Sequence, residues 1–212
     1  MLDIIHWLGN DGIRLDGSTT VYIDPWKLPP GQPQAGVIFV THDHHDHFSP
    51  VDIEAIGGRD TVIAGPPCVI DQVEGFRTVK LVAGETSKIM DVTVTAVPAY
   101  NLTKFRAPGM PYHPRESGYL GYVITMDDTR YYHAGDTDMV PEMGEVACDV
   151  ALLPVGGTYT MTADEAAEAC SLISAREAIP MHYGAVAGSL RDAERFRDLC
   201  SVPVTILPLE ER

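Results

Sequence analysis

Four of the chain's eight histidines fall within six residues, in the run Thr41-His42-Asp43-His44-His45-Asp46-His47, with aspartates between them. Imidazole and carboxylate together suit Zn²⁺, Mn²⁺ or Fe²⁺, and the lack of thiolates leaves the metal open among these. In an extended segment His42 and His44 point the same way, so both can bind one ion. A turn immediately afterwards brings Asp46 and His47 to a second ion nearby. A loop that needed only solubility would use Lys, Glu or Ser in these places. The run also follows a continuous apolar stretch, residues 36–40, of the kind that forms a strand covered on both faces.

One run supplies too few ligands for two ions. Two further strand ends offer candidates. Asp136, in Tyr132-His133-Ala134-Gly135-Asp136-Thr137, follows a strand and a glycine that permits close backbone approach, so its carboxylate can bridge two ions. His182, in Pro180-Met181-His182-Tyr183-Gly184, ends another short strand. The remaining polar residues take lesser parts. Asp24 either hydrogen-bonds a ligand imidazole and fixes its tautomer or is a surface turn acid. His133 packs or orients a neighbour, His45 is peripheral, and His6 and Trp7 belong to the first strand.

The elements that must position these residues can be read from local patterns. Runs rich in β-branched and apolar residues predict strands at 20–23, 37–41, 61–64, 92–97, 119–126, 130–133, 150–155 and 202–207. Ser49-Pro50-Val51-Asp52 reads as a helix start, with a serine cap and proline at the first position. Thr162-Ala163-Asp164-Glu165 is a capping box opening an alanine-rich helix to about residue 175, and Ser189 opens a last helix to about residue 200. Strands alternate with helices, which makes the class α/β. The two halves echo each other: hairpin, strand ending in an acid (Asp24, then Asp136), buried strand, helix. Two such β-rich halves would face each other with helices outside and their strand-end loops along one edge.

The bulk composition narrows the setting. At 212 residues, 45% hydrophobic and 21% charged, the chain suits a single domain, residues 1–212. A formal charge of −15 argues against a nucleic-acid partner, whose affinity depends on cationic neutralisation of phosphates. Cys68, Cys148, Cys170 and Cys200 are far apart and read as free thiols of a reducing compartment. The first residues lack a signal-peptide pattern and no stretch is long and apolar enough for a membrane span, so a cytoplasmic location is expected.

The pattern His42-x-His44-x-Asp46-His47 after a buried strand, an isolated Gly135-Asp136-Thr137 and a late strand-terminal His182 resembles the metallo-β-lactamase-fold hydrolases. The strings at 134–138, 152–157 and 179–184 are similar to those of small bacterial and archaeal metal-dependent hydrolases near ascorbate-6-phosphate lactonase. The resemblance implies a four-layer αβ/βα sandwich. It also implies that His42 and His44 belong to site one, Asp46 and His47 to site two, that Asp136 bridges and that His182 completes site two. The family's usual third site-one histidine is missing after the strand at 92–97. His113 is the nearest substitute as a ligand, with a substrate contact or loop packing as its alternative roles.

One or two ions so held would generate a metal-bound hydroxide at neutral pH, with Asp46 orienting the water and handling its proton. The loop at residues 100–118 is expected to overhang the site, with Tyr100, Asn101, Lys104, Arg106 and Arg115 as candidate substrate contacts. Its cations suit a small anionic ester, lactone or phosphodiester; the competing reading pairs them with acids elsewhere. The alternatives to such a hydrolase are a metal-dependent nuclease and a non-catalytic metal-binding protein. The exposed edge strands of a sandwich leave a homo-oligomer open.

Overall fold

The computed structural model describes residues 2–210. Its first sheet takes β1 (Ile5–Gly9), β2 (Gly12–Asp16), β3 (Thr20–Ile23), β4 (Val37–Phe39), β5 (Val62–Gly65) and β6 (Arg77–Lys80) in that order. The second runs β14 (Glu177–Met181), β13 (Val150–Pro154), β12 (Thr129–His133), β11 (Leu120–Met126), β8 (Val92–Pro98) and β7 (Thr86–Ile89). Each sheet is antiparallel in its hairpins and parallel where longer crossovers, most of them carrying a helix, join the strands. β1, β2 and β3 pair antiparallel before β3–β6 turn parallel. The pairs β8–β11 and β11–β12 are antiparallel, and β12–β13–β14 parallel. The internal echo read from the sequence is this repeated hairpin-then-crossover arrangement.

The sheets face each other across a core to which both contribute. The Phe39 and Tyr122 rings meet across it at 5.2 Å, and the Tyr122 hydroxyl donates to the Val40 carbonyl at 2.6 Å. β4 and β13 are buried along their whole length, which explains their unbroken apolar sequences. The outer face of the first sheet is covered by α1 (Pro50–Ile56) and α2 (Pro67–Ile70), through Ile53, Ile56, Val69 and Ile70 packed on Tyr22, Ile38 and Ile63. α3 (Ala163–Leu172) and α4 (Leu190–Leu199) lie over β13 and β14. Helix, sheet, sheet, helix is the four-layer α/β sandwich of the metallo-β-lactamase fold.

The helix starts follow their local chemistry. Ser49 accepts from the Asp52 amide, and Thr162 and Glu165 form a reciprocal capping box. α3 stops at Leu172, three residues short of the expected end, and the chain turns extended at Ile173. The expected strand at residues 202–207 does not form. Only a single bridge joins Val204 to Ala178, because Pro203 and Pro208 interrupt a run that would otherwise extend the sheet. The loop at 100–118 contains a small hairpin of its own, β9 (Phe105–Ala107) with β10 (Met110–Pro111).

Candidate metal centre

The candidate ligands come together where strands end: Asp11 in the β1–β2 turn, His42 to His47 after β4, Asp136 after β12 and His182 after β14. His113 arrives from the loop between β10 and β11. Two groups form. The first is His42, His44 and His113; the second is Asp11, His47, Asp136 and His182, with donor atoms in each group within 4.8 Å of one another. Asp136 lies between them. Its Oδ2 is 3.3 Å from His113 Nε2 and 3.3 Å from His182 Nε2, and its Oδ1 is 3.5 Å from His47 Nε2.

For most of these imidazoles the second ring nitrogen is already engaged, which fixes the tautomer and aims the first nitrogen at the centre. Asp24 is the hub. Its Oδ2 accepts from His47 Nδ1 at 2.7 Å and from the Thr41 hydroxyl at 2.6 Å, while Oδ1 accepts from the Thr41 amide at 2.7 Å. The Thr41 hydroxyl has spent its single proton on Asp24, so it accepts at 2.9 Å from His42 Nδ1–H. One buried carboxylate thereby orients a ligand in each group. That is the role proposed for Asp24 over the surface-acid alternative. His44 Nδ1 faces His42 Nε2 at 3.0 Å, so these are the nitrogens that converge.

His113 is oriented by Asn101, whose Oδ1 accepts both from its amide at 2.8 Å and from its Nδ1 at 2.9 Å. The Asn101 amide nitrogen in turn donates to Asp138 Oδ1 and to the Tyr159 carbonyl. Asp138 Oδ2 accepts from the backbone amides of Leu102 and Thr103 at 2.7 and 2.6 Å, pinning the start of the loop. At His182 the backbone takes φ 55°, the left-handed region that a histidine seldom adopts. Gly156 makes this possible: a Cβ there would lie 2.5 Å from the His182 carbonyl oxygen and 2.8 Å from its Nδ1.

Asp11 was not legible as a ligand in the sequence. Gly9-Asn10-Asp11-Gly12 reads as an ordinary hairpin turn, and nothing local signals that its aspartate is fully buried. Asp46, expected in the second site, stands beside it. Its Oδ2 is 3.5 Å from His47 Nε2 and accepts from Asn10 Nδ2 at 3.1 Å, but it lies outside the four-donor group.

The two groups differ electrically. Burial drives the imidazoles of the first below their ordinary range: His42 well below it, His44 lowered, and His113 to about 4. Three neutral imidazoles are the donor set of an open, water-binding zinc position. In the second group burial also works against charge, but Asp136 and Asp24 outweigh it at His47, and Asp136 and Asp11 hold His182 up at about 9. Burial raises the Asp11 carboxyl well above the carboxylate range, whereas at Asp136 His182 and His47 overcome burial and hold it well below. Both Asp11 oxygens, Asp136 Oδ1, His47 Nε2 and His182 Nε2 are buried with no hydrogen-bond partner among the described residues. Converging oxygen and imidazole donors left unsatisfied fit a divalent cation.

These shifts fix how metal-free protein responds to pH. His182 and His47 are raised above the unfolded value of 6.5, so their stabilisation is full below it and lost as pH rises through their folded values, about 9 for His182. His42, His44 and His113 are lowered, so stability is also lost as pH falls below 6.5 through their folded values, about 4 for His113. Asp11, raised above its unfolded value, adds to the loss as pH rises, so chelator-treated protein should melt higher at mildly acidic pH than at pH 4 or pH 9, which thermal melts across that range would check.

Two of the three loop cations are committed within the protein. Lys104 Nζ binds both Glu165 oxygens at 2.8 and 2.7 Å, tying the loop to the start of α3. Arg115 pairs with Glu142 at 2.7 Å and lies over the Tyr100 ring, whose hydroxyl bonds the same glutamate. Tyr100 and Asn101 are buried, and Arg106 is exposed.

Comparison with known proteins agrees with this architecture. Residues 4–182 match the family model described as a beta-lactamase superfamily domain. A metal-dependent hydrolase of Nitratidesulfovibrio vulgaris is 37% identical, covering 92% of this chain and 85% of its own. One from Thermus thermophilus is 31% identical over 91% and 88%. A crystal structure from Parabacteroides distasonis, placed by its description among metal-dependent hydrolases, superposes with a TM-score of 0.85 at 32% identity, covering 97% and 93%. A metallo-beta-lactamase superfamily protein from Thermotoga maritima, at 23% identity and TM-score 0.63, shares the fold. The chain belongs to the metallo-β-lactamase superfamily. Within it, the chain is one of the metal-dependent hydrolases. Among the described residues no helix is long and apolar enough to cross a membrane.

Proposed function

We propose that this enzyme hydrolyses a small ester, lactone or phosphodiester with two divalent ions, Zn²⁺ or Mn²⁺. His42, His44 and His113 would hold one ion; Asp11, His47 and His182 would hold the other, with Asp136 between them. The observation that carries this reading is the convergence of seven buried or half-buried donors into two groups around one carboxylate. Bound there, the ions acidify water and polarise a carbonyl or phosphoryl oxygen.

Asp46 is the residue to orient the attacking water and accept its proton. Burial opposes its ionisation, but His47 overcomes this and holds the carboxyl at about 2, so it is a carboxylate at neutral pH. Asn10 fixes Oδ2, and Oδ1, 3.5 Å from Nδ1 of the exposed His45, is the oxygen that would face the water. A negatively charged substrate would be met by the ions and by Arg106, the cation of this loop with no ion-pair partner among the described residues. Asn101 acts through His113 rather than on substrate. The charge of −15 favours a small molecule over a nucleic acid, and four free cysteines suit the cytoplasm.

A screen of phosphodiesters, lactones and thioesters with Mn²⁺ and with Zn²⁺ tests the proposal. At least one class should turn over, stop on chelation and resume when metal is returned. Turnover that persists in the chelated protein would place the chemistry elsewhere.

A further inference from the structure

Among the buried histidines, His133 at the end of β12 stands outside both ligand groups, yet its ring touches the backbone beside both carboxylates of the second. Its Nε2 is 2.9 Å from the Asp11 carbonyl oxygen, and its Nδ1 is 3.2 Å from the Gly135 amide. The carbonyl can only accept and the amide can only donate. The ring must therefore be the neutral Nε2–H tautomer, giving a proton to Asp11 and taking one from Gly135. Burial, which lowers the His133 pKa, favours that neutral form. Asp11 and Gly135 come from opposite sheets, and Gly135 carries the left-handed φ of 65° that turns the chain into Asp136.

We infer that His133 is a positioning residue for the second group, a clamp holding the Asp11 turn and the Gly135–Asp136 turn at the spacing at which their carboxylates converge. This rests on the two-ion reading above. The first group owes its orientation to Thr41 and Asn101, and among the described residues no hydrogen bond joins it to His133, so the clamp reaches it only through Asp136 and acts chiefly on the second ion, to which Asp11 also belongs. An ordinary core histidine would make no such distinction.

The test is the stoichiometry and affinity of Zn²⁺, by elemental analysis after dialysis and by competition with a chromophoric chelator. The parent is compared with His133→Leu, His133→Asn and His133→Gln. His133→Leu should keep one Zn²⁺ close to parental affinity and bind the second about 10- to 100-fold more weakly, as loss of a residue that orients ligands does. Asn can supply the acceptor towards Gly135 and Gln the donor towards Asp11, so each should recover part of that loss. These two milder variants also keep the test alive if the leucine variant fails to fold. Two parental affinities in every variant would overturn the clamp. So would an equal weakening of both ions that tracks a lowered melting temperature. A parent that binds no Zn²⁺ would overturn the two-ion reading and the clamp with it.

Discussion

Asp136→Asn should lower hydrolysis by at least about a thousandfold, or about 4 kcal/mol of transition-state stabilisation. The side chain keeps its shape, but the charge between the two groups disappears, and an amide N–H₂ is turned towards donors that should face cations. Three imidazole nitrogens, on His47, His113 and His182, lie within 3.5 Å of this one carboxylate. The metal-free protein should suffer as well, because His47 and His182 owe their raised pKa values first among attractive partners to Asp136. Steady-state rates on whichever substrate class turns over, read beside circular dichroism, would separate lost catalysis from lost folding. Activity within tenfold of the parent would remove Asp136 from the centre of the account.

Asp24→Asn is expected to have the second-largest effect, although Asp24 touches no ion. It should weaken both ions by about 10- to 100-fold, or about 1.4–2.8 kcal/mol each. Asparagine is the informative choice because Asp24 has φ 48°, a conformation asparagine tolerates, so the backbone turn survives. The lost anion is the one that accepts from His47 and from Thr41, and Thr41 in turn receives the proton of His42. The two affinities should fall together, unlike the one-sided loss expected at His133. Titration of the metal-free variant with Zn²⁺ distinguishes the two patterns.

Much of the centre could be read from the chain because His42, His44 and His47 are adjacent in sequence and end a strand whose burial shows in its composition. Asp136 and His182 were visible for a similar reason: each follows a short apolar strand, and Asp136 follows a glycine as well. His113 emerged only as a replacement for a ligand missing elsewhere. Asp11 stayed hidden because its turn has the composition of any surface hairpin; its burial is created by the opposite sheet, through His133, from 122 residues away. The loop cations illustrate the same difficulty. Counting charges between residues 100 and 118 shows an excess of positive charge, but the partners of Lys104 and Arg115 lie 61 and 27 residues further on.

The fold was legible to a similar depth. Strands buried on both sides, such as β4 and β13, announce themselves through continuous apolar runs. The edge-proximal β6 and β7 expose most of their side chains and so carry no such pattern. At residues 202–207 the composition resembles a strand, but two prolines and the lack of a full ladder leave only one bridge. Local propensity is overridden there by which backbone groups have partners.

The most direct test of the account is the metal content of protein purified without a metal-binding tag. Two ions held by separate donor groups predict two equivalents of Zn or Mn per chain, falling to one when Asp11 is replaced by alanine. They also predict a melting temperature that rises when either metal is returned to chelated protein. No bound metal, together with melting that is unchanged by Zn²⁺ and Mn²⁺, would contradict it.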